Sequence, residues 1–280
     1  MSYVTARDGT RLHVVEYRPR AGAPKRPAIL CLSGVTRTSR DFSRLAPDLA
    51  ETGHRVLALD YRGRGQSDRA LESDSYAPTM YLDDIRQVLF AFNIHKVVVI
   101  GTSLGGFLTM GMAVAMPTVL AGAVLNDCGP DLPKDGVARI ADYIADARTY
   151  PDWSTAIDAV KAMLPDLNLD EDGWRLAAEG CFHEEADGTI RADWDPRIAA
   201  PMRRPAALPD LWPMFKALRP IPCLAFRGEL SSLLSEDCFR KMKDAHPGLR
   251  QTVIANRGHA PTLDEPEARS AIHAFLASIS

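Results

Sequence analysis

The first half of the chain alternates short apolar runs with segments of helical periodicity. Ala28 to Leu32 in RPAILCLSG, Val56 to Leu59 in HRVLALD, Val97 to Ile100 in KVVVIG and Ala121 to Leu125 in LAGAVLND are short and continuously apolar, which reads as strands buried on both faces. Between them, DFSRLAPDLAETG and TMYLDDIRQVLFAF read as helices. Upstream, ARDGTRLHVVEY places the turn signal Asp8-Gly9 before alternating Leu12, Val14 and Tyr17, so an antiparallel hairpin is expected to enter the sheet. Strands alternating with helices predict an α/β protein whose mostly parallel sheet is covered on both faces.

The alternation lapses from Gly129 to Arg219. That stretch is helix-like and irregular, rich in Asp, Pro and Ala, and it holds all four tryptophans, Trp153, Trp174, Trp194 and Trp212. Strand and helix order returns with Ile221 to Arg227, a helix over Ser235 to Ala245, the strand LRQTVIAN and a last helix over Glu267 to Ile279. Residues 1–128 and 220–280 are therefore expected to form a core, and residues 129–219 a helical cap inserted over it. The tryptophans fit two readings: bulk for a small cap core, or ligand contacts where a lid meets a scaffold. Trp153, Trp194 and Trp212 are the candidates for the second.

The run ending at Ile100 is followed by Gly101, after which Phe107, Leu108, Gly111, Met112 and Ala115 recur at helical spacing up to Pro117. Ser103 sits on the turn between them. Strand, Gly-x-Ser-x-Gly, helix is a nucleophile elbow, here Gly101 to Gly105. Glycines beside the serine permit the sharp turn, because a β-carbon there would collide with the neighbouring strand or helix. The turn lifts the Ser103 hydroxyl above the sheet and leaves the Leu104 N–H at a helix start, where it can stabilise an oxyanion. A serine hydroxyl needs a base to take its proton. Among seven histidines, His259 in NRGHAPTLDEPE follows the last strand directly, and Gly258 and Pro261 mark a loop able to carry it over the sheet edge.

Composition narrows the partners. A net charge of -3 with no block of about five or six like charges argues against nucleic acid or an anionic membrane surface, and favours a small neutral or mildly charged ligand. No run approaches the roughly 18 apolar residues of a membrane span, and Met1 to Gly9 is polar, so a soluble, cytoplasmic protein is expected. Five cysteines, odd in number and without Cys-x-x-Cys spacing, read as buried structural thiols rather than zinc ligands or disulfides. The glycines of Asp60 to Asp68 lack a phosphate-cradling pattern and read as a structural loop beside the site.

LCLSGVTRTSRDF, LALDYRGRGQSD, GTSLGG, VLNDCGP, LAFRGELSSLLS and RGHAPTLDEPE follow one another over nearly the whole length. In these segments the chain resembles α/β-hydrolases, specifically capped members that include meta-cleavage-product hydrolases, enol-lactonases and bacterial carboxylesterases. The resemblance implies a mostly parallel eight-stranded sheet with an inserted helical cap, Ser103 as nucleophile and His259 as general base. It implies hydrolysis without metal or cofactor, on a small, largely apolar ester or lactone. It also implies that CLSGVTRT supplies the second oxyanion donor, the Val35 N–H, with Gly34 at the substrate and Ser33 where such chains usually carry histidine.

One position departs from the pattern. Relatives place the third catalytic group, an aspartate, shortly after the seventh strand of that fold, and this chain has Ser232 there. Asp127, at the end of the strand after the elbow strand, is one substitute; Glu229, earlier on the usual strand, is another; an incomplete triad is the third possibility. The departure lends weight to a ligand-binding member without catalysis; a C–C bond hydrolase and a cofactor-independent oxygenase also stand beside the ester or lactone hydrolase. Fold alone does not choose among them.

Overall fold

A computed structural model of the protein describes residues 2–24, 26–131, 133–203 and 210–279. Its main sheet contains β1 (Ser2–Thr5), β2 (Arg11–Tyr17), β3 (Ala28–Leu32), β4 (Val56–Leu59), β5 (Val97–Thr102), β6 (Leu120–Asn126), β10 (Cys223–Gly228) and β11 (Arg250–Ile254). The eight strands lie in the order β1-β2-β4-β3-β5-β6-β10-β11. The β1–β2 and β2–β4 pairs are antiparallel, and the pairings from β4 through β11 are parallel. This is the expected α/β architecture with its antiparallel entry.

The apolar runs are continuous because both faces of the central strands are covered. Alternate residues enter opposite layers: Leu30, Leu57, Val97 and Val99 pack on one side, Ile29, Val56, Val98 and Ile100 on the other. The first layer is closed by α2 (Pro78–Ala91), α3 (Leu104–Ala115) and α8 (Glu236–Ala245). The second is closed by α1 (Leu45–Glu51) and α9 (Pro266–Ala277), through Leu49, Ile272 and Phe275 among others. Each buried Val, Leu or Ile contributes about 1.5–3 kcal/mol, so the layers hold the strand ends that carry the site at fixed separation. All five cysteines are free and buried, in keeping with structural thiols.

Between β6 and β10 the chain forms α4 (Lys134–Ala145), α5 (Trp153–Met163), α6 (Glu171–Glu179) and α7 (Trp212–Lys216). Residues 132 and 204–209 of the expected cap lie outside the described residues. The same segment contains β7 (Thr149–Tyr150), β8 (Phe182–Glu184) and β9 (Ile190–Ala192), paired antiparallel as a small sheet in the order β7-β9-β8. This small sheet is an addition to the expected helices of the cap. Strands of two or three residues are too short to register as alternation. The segment is bound to the core by Arg37, whose Nη1 donates to the Ala177 carbonyl (2.7 Å), and by Arg40, whose Nε donates to that of Glu179 (2.5 Å). Among the described residues, no helix is long and apolar enough to cross a membrane.

Candidate active site

The site is assembled at the C-terminal ends of β5, β6 and β10. At the end of β5 a β-carbon on Gly101 would lie 2.4 Å from the Gly105 carbonyl oxygen, and one on Gly105 would lie 2.1 Å from that of Leu32. No side chain fits either position. Ser103 follows with φ 51° and ψ -110°, a strained conformation for a residue with a β-carbon, costing on the order of 1–3 kcal/mol. Its N–H donates to the Asn126 carbonyl (3.0 Å), and α3 begins at once with Leu104. The strain is held by packing on both sides, and it aims the hydroxyl away from the sheet.

Asp127 occupies the matching position one strand over. It too has a positive φ of 51°, its N–H donates to the Phe226 carbonyl (3.0 Å), and its side chain is completely buried. Its Oδ1 accepts from the Gly228 N–H (2.8 Å); its Oδ2 accepts from the Ser231 hydroxyl (2.6 Å) and from His259 Nδ1 (2.6 Å). His259 Nε2 lies 3.0 Å from Ser103 Oγ. With Nδ1 donating to the carboxylate, Nε2 is the free acceptor for the serine proton. The three groups form one continuous hydrogen-bonded chain, capable of drawing a proton off Ser103 and stabilising the imidazolium that results.

Asn126 steadies this chain, a role the sequence reading did not assign. Fully buried at the end of β6, its Nδ2 donates to Thr102 Oγ1 (3.1 Å) and to the Pro261 carbonyl (2.8 Å), joining the elbow to the loop that carries His259. The available signal was a polar residue closing an apolar strand. The His259 loop is held further by Glu265 Oε1, which accepts from Arg257 Nε, the Thr262 N–H and the Thr262 hydroxyl at 3.0–3.1 Å.

Glu229, the other candidate acid, is not brought to His259. It is exposed, and its Oε2 accepts from the Asn256 N–H (2.8 Å). Ser232 is exposed at the cavity wall, whereas Ser231 points inward to Asp127. The loop that carries Val35 lies close to Ser103: a β-carbon on Gly34 would lie 3.9 Å from Ser103 Cβ. Among the described residues, neither the Val35 nor the Leu104 N–H is taken up by a protein acceptor. Ser33, in place of the usual histidine, donates its hydroxyl to the Arg37 carbonyl (3.0 Å) and so tightens the loop.

A cavity of about 1180 Å³ opens over Ser103 and His259 between the sheet and the inserted segment. Gly34, Val35, Ile140, Met163, Leu176 and Trp194 lie along it, and exposed charges including Arg139, Arg148 and Asp170 rim it. Of the three tryptophans expected at the ligand, Trp194 alone lines this cavity. Trp153 is drawn outward by a hydrogen bond to Glu184 (2.9 Å) and by Arg175 over its ring (4.1 Å). Trp212 is held by Asp131 (2.8 Å) and sits edge-on to Phe215. An indole N–H with an exposed carboxylate partner orients the ring to the periphery.

The alpha/beta hydrolase family profile matches residues 29–271. A 3-hydroxybutyrate-oligomer hydrolase from Cupriavidus necator is 30% identical over 259 residues, covering 88% of this chain and 87% of the relative. A 2-(acetamidomethylene)succinate hydrolase from Mesorhizobium japonicum is 26% identical, covering 86% and 84%. The crystal structure of an alpha/beta hydrolase from Novosphingobium aromaticivorans superimposes with a TM-score of 0.91 at 41% identity, covering 99% of this chain and 97% of that one.

Proposed function

This chain belongs to the alpha/beta hydrolase family and is a hydrolase, and from that premise we propose that it cleaves carboxylic esters or lactones of small acyl groups through an acyl-enzyme on Ser103. The single observation that carries the reading is the hydrogen-bonded chain from Asp127 through His259 to Ser103, with distances of 2.6 and 3.0 Å. Ser103 Oγ attacks the ester carbonyl carbon as its proton passes to His259 Nε2, and the carbonyl electron pair moves onto oxygen. Two backbone N–H groups, Val35 and Leu104, receive that oxyanion, an arrangement whose loss costs about 10²–10³ in kcat per donor in comparable sites. Collapse of the adduct expels the alcohol, which takes the proton from His259. Water then repeats the sequence to release the acid. Asp127 stays ionised throughout and stabilises the imidazolium.

The relative that acts on 3-hydroxybutyrate oligomers supports an ester of a short hydroxy acid as the natural substrate class. The cavity suits such a chain, with apolar side chains beside Ser103 and charged groups at the rim.

The test is hydrolysis of short p-nitrophenyl esters and of 3-hydroxybutyrate dimers and trimers, together with fluorophosphonate labelling of Ser103. Ser103→Ala and His259→Ala should each lower kcat at least about a thousandfold, and together little more than either alone, because such groups act as one unit. Retention of most activity in Ser103→Ala removes the acyl-enzyme from consideration.

A further inference from the structure

Arg64 is 1% exposed, yet among the described residues it meets no carboxylate. Its neighbour Arg62 is buried as deeply but paired with Asp84 (2.6 Å) and Asp8 (2.7 Å). Arg64 instead donates from Nε to the Val35 carbonyl (2.8 Å), and from Nη1 to the Arg62 carbonyl (3.0 Å) and the Tyr81 hydroxyl (2.6 Å). Its guanidinium lies over the rings of Tyr61 and Tyr81, 5.5 and 5.0 Å from their centroids. A buried charge without a counter-charge is costly to maintain, so its position calls for a compensating role.

That position is directly behind the oxyanion loop. The loop carbonyls are held as well, Ser33 by the Tyr61 hydroxyl (3.1 Å) and by the Gly105 N–H (3.1 Å), and Val35 by Arg64. The backbone around Arg64 is fixed in turn by the inserted segment. Arg64 pairs with Trp194 as an isolated antiparallel bridge, the Gly65 N–H donates to the Asp193 carbonyl (2.9 Å), and the Asp195 N–H donates to that of Gly63 (2.8 Å). The glycine-rich turn permits this: a β-carbon on Gly65 would lie 2.4 Å from Asp60 Oδ2.

We infer that Arg64 is a positioning residue for the oxyanion step, anchoring the Val35 carbonyl so that the preceding peptide presents the Val35 N–H, and supplying a cation on that loop for the transient oxyanion. The inference rests on the proposed serine-hydrolase reading. Without substrate the guanidinium is satisfied by neutral oxygens and aromatic faces. When the carbonyl electron pair moves onto oxygen at the Val35 and Leu104 N–H groups, the negative charge forms on a loop that carries a fixed positive one. Such preorganised charge acts on the transition state more than on the neutral ester.

The test compares wild type, Arg64→Gln and Arg64→Lys. Glutamine keeps a donor without charge and lysine keeps the charge. The readouts are kcat and KM on p-nitrophenyl butyrate, affinity for a phenylboronic acid that forms an anionic tetrahedral adduct with Ser103, and melting temperature. Arg64→Gln should lower kcat at least tenfold, toward the loss of about a hundredfold that a 1 Å misplacement brings, with KM nearly unchanged. Boronate affinity should fall in parallel, and Arg64→Lys should recover most of both. A purely structural role would move the melting temperature and leave boronate affinity alone. Wild-type kcat and boronate affinity in Arg64→Gln, or equal losses in Arg64→Gln and Arg64→Lys, overturn the inference while Ser103 still takes the fluorophosphonate label. Failure of wild-type Ser103 to take the label overturns the proposed function, and the oxyanion role of Arg64 falls with it.

Discussion

The Ser231 hydroxyl donates to Asp127 Oδ2 over 2.6 Å, the same oxygen that accepts from His259 Nδ1 at 2.6 Å. The Ser231 oxygen in turn accepts from the backbone N–H groups of Leu233 (3.3 Å) and Leu234 (3.1 Å), which turns its proton toward the carboxylate. The turn after β10, where the family pattern leads one to seek the acid itself, therefore contributes a donor to an acid that stands at the end of β6.

Ser231→Ala removes a hydrogen bond to a buried, charged acceptor, an interaction worth about 1.5–3 kcal/mol. Asp127 keeps the Gly228 N–H and His259. The expected outcome is a lowered melting temperature with a kcat loss within about tenfold, since the charge opposite the imidazolium survives. Thermal unfolding and steady-state kinetics on one activated ester check both; a loss as deep as that of an Asp127 variant would mean that Ser231 does more than orient the carboxylate.

Asp127→Asn leaves a neutral amide opposite His259 and permits the wrong tautomer. In the serine-protease benchmark the equivalent change costs about four orders of magnitude, so a kcat loss of roughly a thousandfold or more is expected here. Glu229→Gln should change kcat little, because that carboxylate is exposed and serves the Asn256 N–H. A reversed ranking would transfer the role to Glu229, and the role of Asp127 would be lost.

Asp60 braces the loop that carries Arg64. Burial acts to raise its carboxyl, but hydrogen bonds from His13 Nδ1, the Ser39 N–H and the Gln66 N–H outweigh burial and hold it below its ordinary value. A carboxylate with a depressed folded-state pKa contributes stability that is fully present above its unfolded value of about 3.9, and loses it as pH falls through the folded value. Melting curves between pH 7 and pH 3 should show the wild type weakening below about pH 4. Asp60→Asn should start lower at pH 7 and decline less; parallel curves for the two proteins would remove Asp60 as a source of acid sensitivity.

The legible parts of this chain are those where one physical constraint acts alone. β3, β4 and β5 are buried along almost their whole length, so their sequences are uninterrupted apolar runs. Ser103 is marked by glycines that nothing else could replace, and His259 by its place just after the last strand of the sheet. Asp127 comes ahead of Glu229 on sequence, by its place beside the elbow strand, but sequence does not tell which way a carboxylate at a strand end points; in the structure Asp127 reaches His259 and Glu229 the Asn256 N–H. Asn126, Ser231 and Arg64 were missed for a related reason. Each acts through a contact with a segment distant in sequence, the Pro261 loop, Asp127 and Val35 respectively. The short strands β7 to β9 were hidden by their length.

The tryptophans give a test of what selects the acyl group. Trp194 is 2% exposed, lines the cavity, donates to the Ile144 carbonyl (3.0 Å) and packs against Tyr143 and Phe182 with centroids 5.6 and 5.7 Å away. Trp153 and Trp212 are turned to peripheral carboxylates. Trp194→Phe keeps an aromatic packing partner while opening space in the wall, whereas full truncation of a buried tryptophan would cost about 3–5 kcal/mol and confuse selectivity with folding. Because one methylene in an apolar pocket is worth about 1–3 kcal/mol of discrimination, Trp194→Phe should shift the ratio of kcat/KM for a six-carbon against a two-carbon acyl ester by about tenfold toward the longer chain. Trp153→Phe and Trp212→Phe should leave that ratio within a factor of about two, since neither ring lines the cavity. Measuring kcat/KM for the p-nitrophenyl ester series in the three variants decides the matter. An equal shift in Trp212→Phe would place the selecting surface beyond the cavity over Ser103.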